Sequence, residues 1–302
     1  MIYCKDLVKT FQSSTAVKGI NLDINQFGCF GFLGGNGAGK TTTLRMLAGL
    51  AKPTSGEIKV AGVDVVKEKD KIANLLGYLP QHPAFFEHMT GKQWMYWVGE
   101  LFGLSKEVIA ERTESLLKDC GIWEARNRKI GEYSGGMKQR LGLAQALINQ
   151  PKVLILDEPV SALDPVGRYE VLQMISKLKR DMTIFMSSHI LEDVEKVADH
   201  ITVIDKGNIL ITSSLEELKN RYSHPIITFE LLETNHKFLH ILNNQEWIET
   251  VRMNLNEYQV TVKELEVAKR QLPKLITNQN LTLINYRIET ASLEDIYLRL
   301  VS

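Results

Sequence analysis

The chain has 302 residues, 44% of them hydrophobic, and its 36 Lys plus Arg balance 36 Asp plus Glu. That length suits one large domain and a smaller one, and zero formal charge argues against a broadly basic nucleic-acid binder. Cys4, Cys29 and Cys120 are odd in number and lack metal-ligand spacing, which reads as reduced thiols in a cytoplasmic protein. The opening MIYCKDLVKTF carries charges where a signal peptide needs an apolar core. No apolar run reaches the roughly 18 to 20 residues that cross a bilayer, so the chain is not expected to span a membrane by itself.

In chain order, CFGFLG (29–34), LGYLP (76–80), VLILD (153–157), TIFMSS (183–188) and ITVID (201–205) are short apolar strands alternating with helical stretches. This is the pattern of an α/β unit whose sheet is covered on both faces. Between Pro83 and Leu147 the pattern turns mostly helical, an inserted helical subdomain at about 83–147. After residue 220 the character changes, and a small accessory domain is expected over 221–302. IITFELL (226–232), EWIETVRM (246–253), EYQVTVK (257–263) and LTLINYRI (281–288) read as strands, with helices near 234–243 and 264–277. The β-α-β-β-α-β order is that of a ferredoxin-like α+β fold, although Pro273 weakens its second helix.

GGNGAGKT, comprising Gly34, Gly35, Asn36, Gly37, Ala38, Gly39, Lys40 and Thr41, follows a strand and opens a helix, as the P-loop motif requires. Its glycines let backbone N–H groups converge on phosphate, and the helix start adds its dipole. Lys40 is the expected partner of the β- and γ-phosphates, and Thr41 a Mg²⁺ ligand. VLILDEP ends a buried-type strand with Asp157, placed to hold the Mg²⁺ shell, and Glu158, placed to address attacking water. Tyr133, Ser134, Gly135, Gly136 and Met137 then form a second phosphate-recognition element opening another helix.

With these strings in this order, residues 1 to about 215 resemble the ATP-binding cassette family, the nucleotide-binding subunits of ABC transporters. The resemblance implies a P-loop NTPase cassette that binds ATP and Mg²⁺ and hydrolyses ATP. It matches Phe11 to an adenine-stacking aromatic, though a buried core aromatic fits Phe11 nearly as well. It matches Gln81 to the glutamine that meets metal and water, Asp164 in SALDP to a dimer-contact loop with helix capping as the plain alternative, and His189 to the switch histidine at the γ-phosphate. Glu158 becomes the general base, with His189 and Gln81 positioning phosphate and water. Gly35 stands where the family usually has Pro. Tyr133 and Met137 depart from the commoner Leu-Ser-Gly-Gly-Gln and, with the tail ASLEDIYLRLVS, resemble the ATPases of ABC-2 type drug and antibiotic exporters.

The resemblance further implies a head-to-tail pair of cassettes, with ATP between Gly34–Thr42 of one chain and Ser134–Met137 of the other. It implies separate integral membrane subunits and a peripheral place on the cytoplasmic face of the membrane. Phe85, Phe86, Trp94, Tyr96 and Trp97 are expected to be mostly core, with one or two lining the groove that docks the membrane subunit. Export of a drug, antibiotic, peptide or lipid-like cargo is the expected task, with no nucleic-acid partner. The alternatives are a soluble ABC ATPase acting on ribosomes or DNA and a non-transport nucleotide-dependent regulator. The usual tandem cassettes, coiled-coil insertions or zinc sites of the former do not appear in the sequence.

Overall fold

The structure, a computed structural model, describes residues 1–12, 14–222, 225–233, 235–289 and 292–301. It divides into two units, Met1–Leu215 and Glu216–Ser302.

The first unit begins with β1 (Ile2–Phe11) and β2 (Ser14–Ile24), a hairpin whose alternating burial puts Ile2, Leu7, Val17 and Ile20 inside. Then come β3 (Gly28–Leu33), α1 (Lys40–Leu47), β4 (Ser55–Val60), β5 (Val63–Asp64), α2 (Lys69–Ala73) and β6 (Leu76–Leu79). The helical insertion carries α3 (Gly91–Leu101), α4 (Lys106–Asp119) and α5 (Gly135–Leu147). The chain returns through β7 (Val153–Asp157), α6 (Pro165–Leu178), β8 (Thr183–Ser188), α7 (Leu191–Val197), β9 (His200–Asp205) and β10 (Asn208–Ser214).

Two sheets result, an antiparallel β2-β1-β4-β5 and a mostly parallel β10-β9-β3-β8-β7-β6. Strands β3, β7 and β8 are buried at every residue, which explains their unbroken apolar runs: both faces are covered, so no polar alternation is needed. A core of Leu7, Ile20, Phe32, Leu44, Leu47, Ile58 and Phe185 spans both sheets and α1. Truncating Leu44 to Ala there costs about 2–5 kcal/mol. The antiparallel sheet was not among the expected elements, because charged residues interrupt β1, β2 and β4.

The helical insertion starts later than the expected boundary near residue 83. Thr90 and Gln93 exchange capping hydrogen bonds at 3.2 and 2.9 Å, which fixes the first turn of α3 at Gly91 and leaves Pro83–Met89 as loop. The aromatic run also needs correcting, because it is not mostly core. Trp94 alone of the five is buried, donating from Nε1 to Gln145 Oε1 at 2.9 Å, whereas Phe86 is 50% and Trp97 36% exposed. Helix α3 turns Trp94, Met95 and Val98 inward, leaving Phe86 and Trp97 at the surface with their rings tilted against each other, centroids 5.4 Å apart.

After α8 (Leu215–Tyr222) the second unit runs β11 (Ile226–Leu231), α9 (His236–Asn243), β12 (Ile248–Asn254), β13 (Glu257–Val262), α10 (Leu265–Asn278), β14 (Leu283–Glu289) and α11 (Leu293–Val301). Its antiparallel order β12-β13-β11-β14 is the ferredoxin-like arrangement. Phe229 stacks flat on Tyr258 at 5.0 Å, and Phe238 meets both edge-on. Helix α10 runs through Pro273 without a break, with Ala268, Leu272 and Ile276 buried. Burial of that stripe offsets the ~3 kcal/mol an interior proline costs. Helix α11 was not an expected element; Ala291 and Ser302, at the ends of the tail string, and Thr234, in the expected first helix, lie outside the described residues.

Candidate functional site

The loop between β3 and α1 is held from below. Gly39 has φ +110, and a Cβ there would sit 2.6 Å from the Ala16 carbonyl oxygen, so only glycine lets the loop turn this close to β2. Gly207 N–H donates to the Ala38 carbonyl at 3.0 Å from the other side. Lys40 Nζ donates to the carbonyls of Gly34 and Gly35 at 2.7 and 3.2 Å, curling back over the loop. Burial pushes the Lys40 ammonium below its ordinary pKa, while the nearby Glu158 and Asp157 carboxylates pull it back up.

Above the loop lies a cleft of about 420 Å³ lined by Phe11, Ala16, Gly35, Asn36, Gly37, Gly39, Lys40, Thr41, Thr42, Gln81 and Glu158. Phe11 is 48% exposed, which rules out the core alternative, and Lys9 Nζ stands 4.8 Å over its ring. Gly34 and Ala38 are buried and do not line the cleft. Their part is to shape the backbone beneath it.

Behind the cleft, hydrogen bonds join the start of α1 to the ends of β7 and β8. Thr41 Oγ1 donates to Asp157 Oδ1 at 3.2 Å, and Ser187 Oγ donates to the same oxygen at 2.7 Å while accepting from the Glu158 N–H at 3.1 Å. Asp157 is fully buried, and its other oxygen, Oδ2, has no hydrogen-bond partner among the described residues. An orphaned carboxylate oxygen beside a hydroxyl is a donor set that fits a hard divalent cation such as Mg²⁺, which takes few protein ligands and completes its shell with phosphate and water.

Glu158 has a left-handed backbone, φ +53, which costs of order 1–3 kcal/mol in a non-glycine residue and persists only when surroundings hold it. Its N–H is held by Ser187, and its carbonyl accepts from Ser161 Oγ at 3.0 Å and Gln139 Nε2 at 3.4 Å. Its Oε2 lies 2.7 Å from His189 Nδ1, the half-exposed imidazole donating to the buried carboxylate. The sequence offered no sign of Gln139; for Ser187 the one available signal was the polar Ser-Ser pair closing an otherwise apolar strand.

Ser134 to Met137 lie elsewhere. Ser134 caps α5, its Oγ accepting from the Met137 N–H at 3.2 Å. A hydroxyl so engaged still has its proton to donate. Ser134 and Gly135 are exposed, and none of the four residues lines the cleft. Tyr133 is buried and anchors the segment by donating to the Ala125 carbonyl at 2.8 Å. Asp164 occupies the cap position of α6 without a side-chain cap bond, so capping does not account for its carboxylate. It too lies outside the cleft lining.

A parallel α/β sheet whose β3–α1 loop wraps a lysine, with an acidic strand end behind it, defines a P-loop nucleotide-binding ATPase. The ABC transporter family model matches residues 17–161, and the model for the C-terminal domain of DrrA1-3-like ATP-binding proteins matches residues 214–301. The chain is 42% identical over 302 residues to the uncharacterized ABC transporter ATP-binding protein YxlF of Bacillus subtilis (strain 168), covering 100% of this chain and 99% of that one. It is 33% identical over 309 residues to the bacitracin transport ATP-binding protein BcrA of Bacillus licheniformis, covering 100% and 97%. Among solved folds, an ATP-binding cassette in a dimeric post-hydrolysis state with ADP and Pi aligns at TM-score 0.66 and 24% identity, over 71% of this chain and 99% of that one. The chain belongs to the ABC transporter ATP-binding family: it is an ATP-binding, ATP-hydrolysing subunit homologous to a bacitracin transport ATP-binding protein.

Proposed function

We propose that this chain drives a membrane exporter by pairing head to tail with a second cassette and hydrolysing ATP held between them. The observation that carries the reading is the linked set Thr41–Asp157–Ser187–Glu158–His189 behind the cleft. Phe11 stacks on adenine, and the backbone of Gly34 to Thr42 with Lys40 holds the phosphates. Thr41, Asp157 and Gln81 hold Mg²⁺, which when bound neutralises phosphate charge. Glu158 takes the proton of the attacking water, and its contact with His189 keeps base and γ-phosphate donor in one frame. From the partner chain, Ser134, Gly135, Gly136 and Met137 close on the γ-phosphate with a hydroxyl and helix-start N–H groups, and Asp164 orders the contact.

No helix among the described residues is long and apolar enough to cross a membrane. On this reading transport runs through separate membrane subunits, with this chain peripheral on the cytoplasmic face. The open groove of about 840 Å³ lined by Lys92, Tyr96, Trp97 and neighbours supports docking of such a subunit on the helical subdomain. Similarity to a bacitracin transport ATP-binding protein supports a drug, antibiotic, peptide or lipid-like cargo. The 221–302 segment acts as an accessory domain. Purification from membranes tests the whole reading: the chain should arrive with a polytopic protein, and recovery with ribosomes or DNA instead would overturn it.

A further inference from the structure

We propose that Arg140 is a positioning residue of the ATPase, locking the helix that starts at Ser134 to the helix that follows Asp164 so that both segments meet a partner cassette as one piece. The inference rests on the two-chain site proposed above.

Arg140 sits in α5 six residues after Ser134, and its side chain is only 14% exposed. Nη1 donates to the Cys120 carbonyl at the end of α4 at 3.1 Å, and Nη2 pairs with Glu170 Oε2 in α6 at 2.8 Å. Three helices thus meet on one guanidinium. Two glycines make its seat: a Cβ on Gly121 would lie 2.5 Å from Nη1, and one on Gly167 would lie 2.6 Å from Nη2. The same point on Gly167 is 2.7 Å from Asp164 Oδ1, so the Asp164 carboxylate and the Arg140 fork converge over a single glycine.

Two neighbouring contacts make the arrangement rigid. A Cβ on Gly136 would lie 3.1 Å from Leu163 Cδ2, so the Ser134–Met137 turn rests against the residue before Asp164. On α6, Arg168 pairs with the fully buried Asp193 of α7 through bonds of 2.6 and 2.7 Å, anchoring the first turn of α6 to the helix after His189. An exposed ion pair would add little. A mostly buried planar fork that satisfies a carbonyl and a carboxylate together is different, because a lysine ammonium cannot match both directions.

A displacement of about 1 Å in a positioned group can cost ~10²-fold in rate, so a loosened junction should show in turnover and not in nucleotide affinity. The test compares Arg140→Lys, Gly167→Ala and Glu170→Gln in the full chain. Readouts are kcat and KM for ATP, binding of a fluorescent ATP analogue to the monomer, and the ATP needed for dimerisation in a Glu158→Gln background. Arg140→Lys and Gly167→Ala should each lower kcat about tenfold and raise the ATP needed for half-dimerisation about tenfold, and Glu170→Gln should do so about threefold. Monomer affinity should stay within about twofold in all three.

Wild-type kcat in Arg140→Lys and Glu170→Gln overturns the proposal. So does loss of monomer affinity in proportion to the loss of kcat, which marks general misfolding. Should Gly167→Ala fail to fold, the other two variants carry the test. Glu158→Gln alone remaining monomeric in ATP would remove the two-chain site and this inference with it. Normal dimerisation of both Glu158→Gln and its Arg140→Lys derivative would remove only the role of Arg140.

Discussion

Gly34–Thr42 and Ser134–Met137 present the same local form, small residues at a helix start, in opposite settings. The first is enclosed by Phe11, Gln81 and Glu158, with Asp157 behind it. The second is exposed at Ser134 and Gly135, and its surroundings are structural: Tyr133 anchors it, Leu163 supports it and Ser134 caps its own helix. On the proposed reading, one segment recognises phosphate beside the reacting groups. The other would recognise phosphate only, and would need a nucleotide carried by another chain.

The largest expected effect falls on the enclosed side. Glu158→Gln removes the proposed base and should cut turnover by about 10²–10⁴-fold while ATP-bound dimers accumulate, read by size-exclusion chromatography. Normal hydrolysis in that variant would take Glu158 out of the base role and blur the contrast between the two segments.

Phe11→Ala and Ser134→Ala then separate them. Loss of a stacking partner in Phe11→Ala should weaken nucleotide binding to the single chain about tenfold with kcat at saturation retained, since base stacking is worth ~1–3 kcal/mol. Ser134→Ala should do the reverse: kcat falls about tenfold, the scale of one charge-assisted hydrogen bond, and single-chain binding holds. Equal effects of the two on single-chain affinity would sink the division of labour.

A smaller effect is expected from Ser187→Ala, which frees the Glu158 N–H and one bond to Asp157. A loss of about fivefold in kcat, near 1 kcal/mol, is the expectation, checked by steady-state kinetics with melting temperature as control.

The smallest concerns thiols on the two sides, Cys29 in β3 below the loop and Cys120 against Arg140. Burial pushes both up to about 12. The folded chain therefore keeps them protonated where an unfolded thiol, at about 8.5, ionises. Stability from each is intact below that unfolded value and is lost as pH climbs towards the folded one, by up to ~1.4 kcal/mol per pH unit. Melting temperature should fall across that alkaline window, and less so in Cys29→Ala and Cys120→Ala. Thiol labelling at pH 8 should be slow at both until the chain unfolds.

Much of this was legible from the sequence because it depends on local backbone form. Lys40, Thr41, Asp157 and Glu158 sit in strings whose strand-loop-helix context is itself local, and the apolar runs of β3, β7 and β8 announced a covered sheet. The aromatic run 85–97 misled because composition does not say which side of α3 faces the subdomain. Helix α10 misled in the other direction: a proline rule weighed against it, and long-range burial of Leu272 and Ile276 prevailed.

The sequence by itself determined the kind of machine, since phosphate binding by backbone N–H groups needs only glycines and a helix start at the right spacing. Tertiary structure decided the partnerships. Thr41 meets Asp157 across 116 residues, Ser187 joins Asp157 to Glu158, and His189 reaches Glu158 from the next strand. Arg140 finds its seat between glycines from two other segments. Those contacts depend on sheet order and helix packing, and no spacing along the chain encodes which strand ends come to lie side by side.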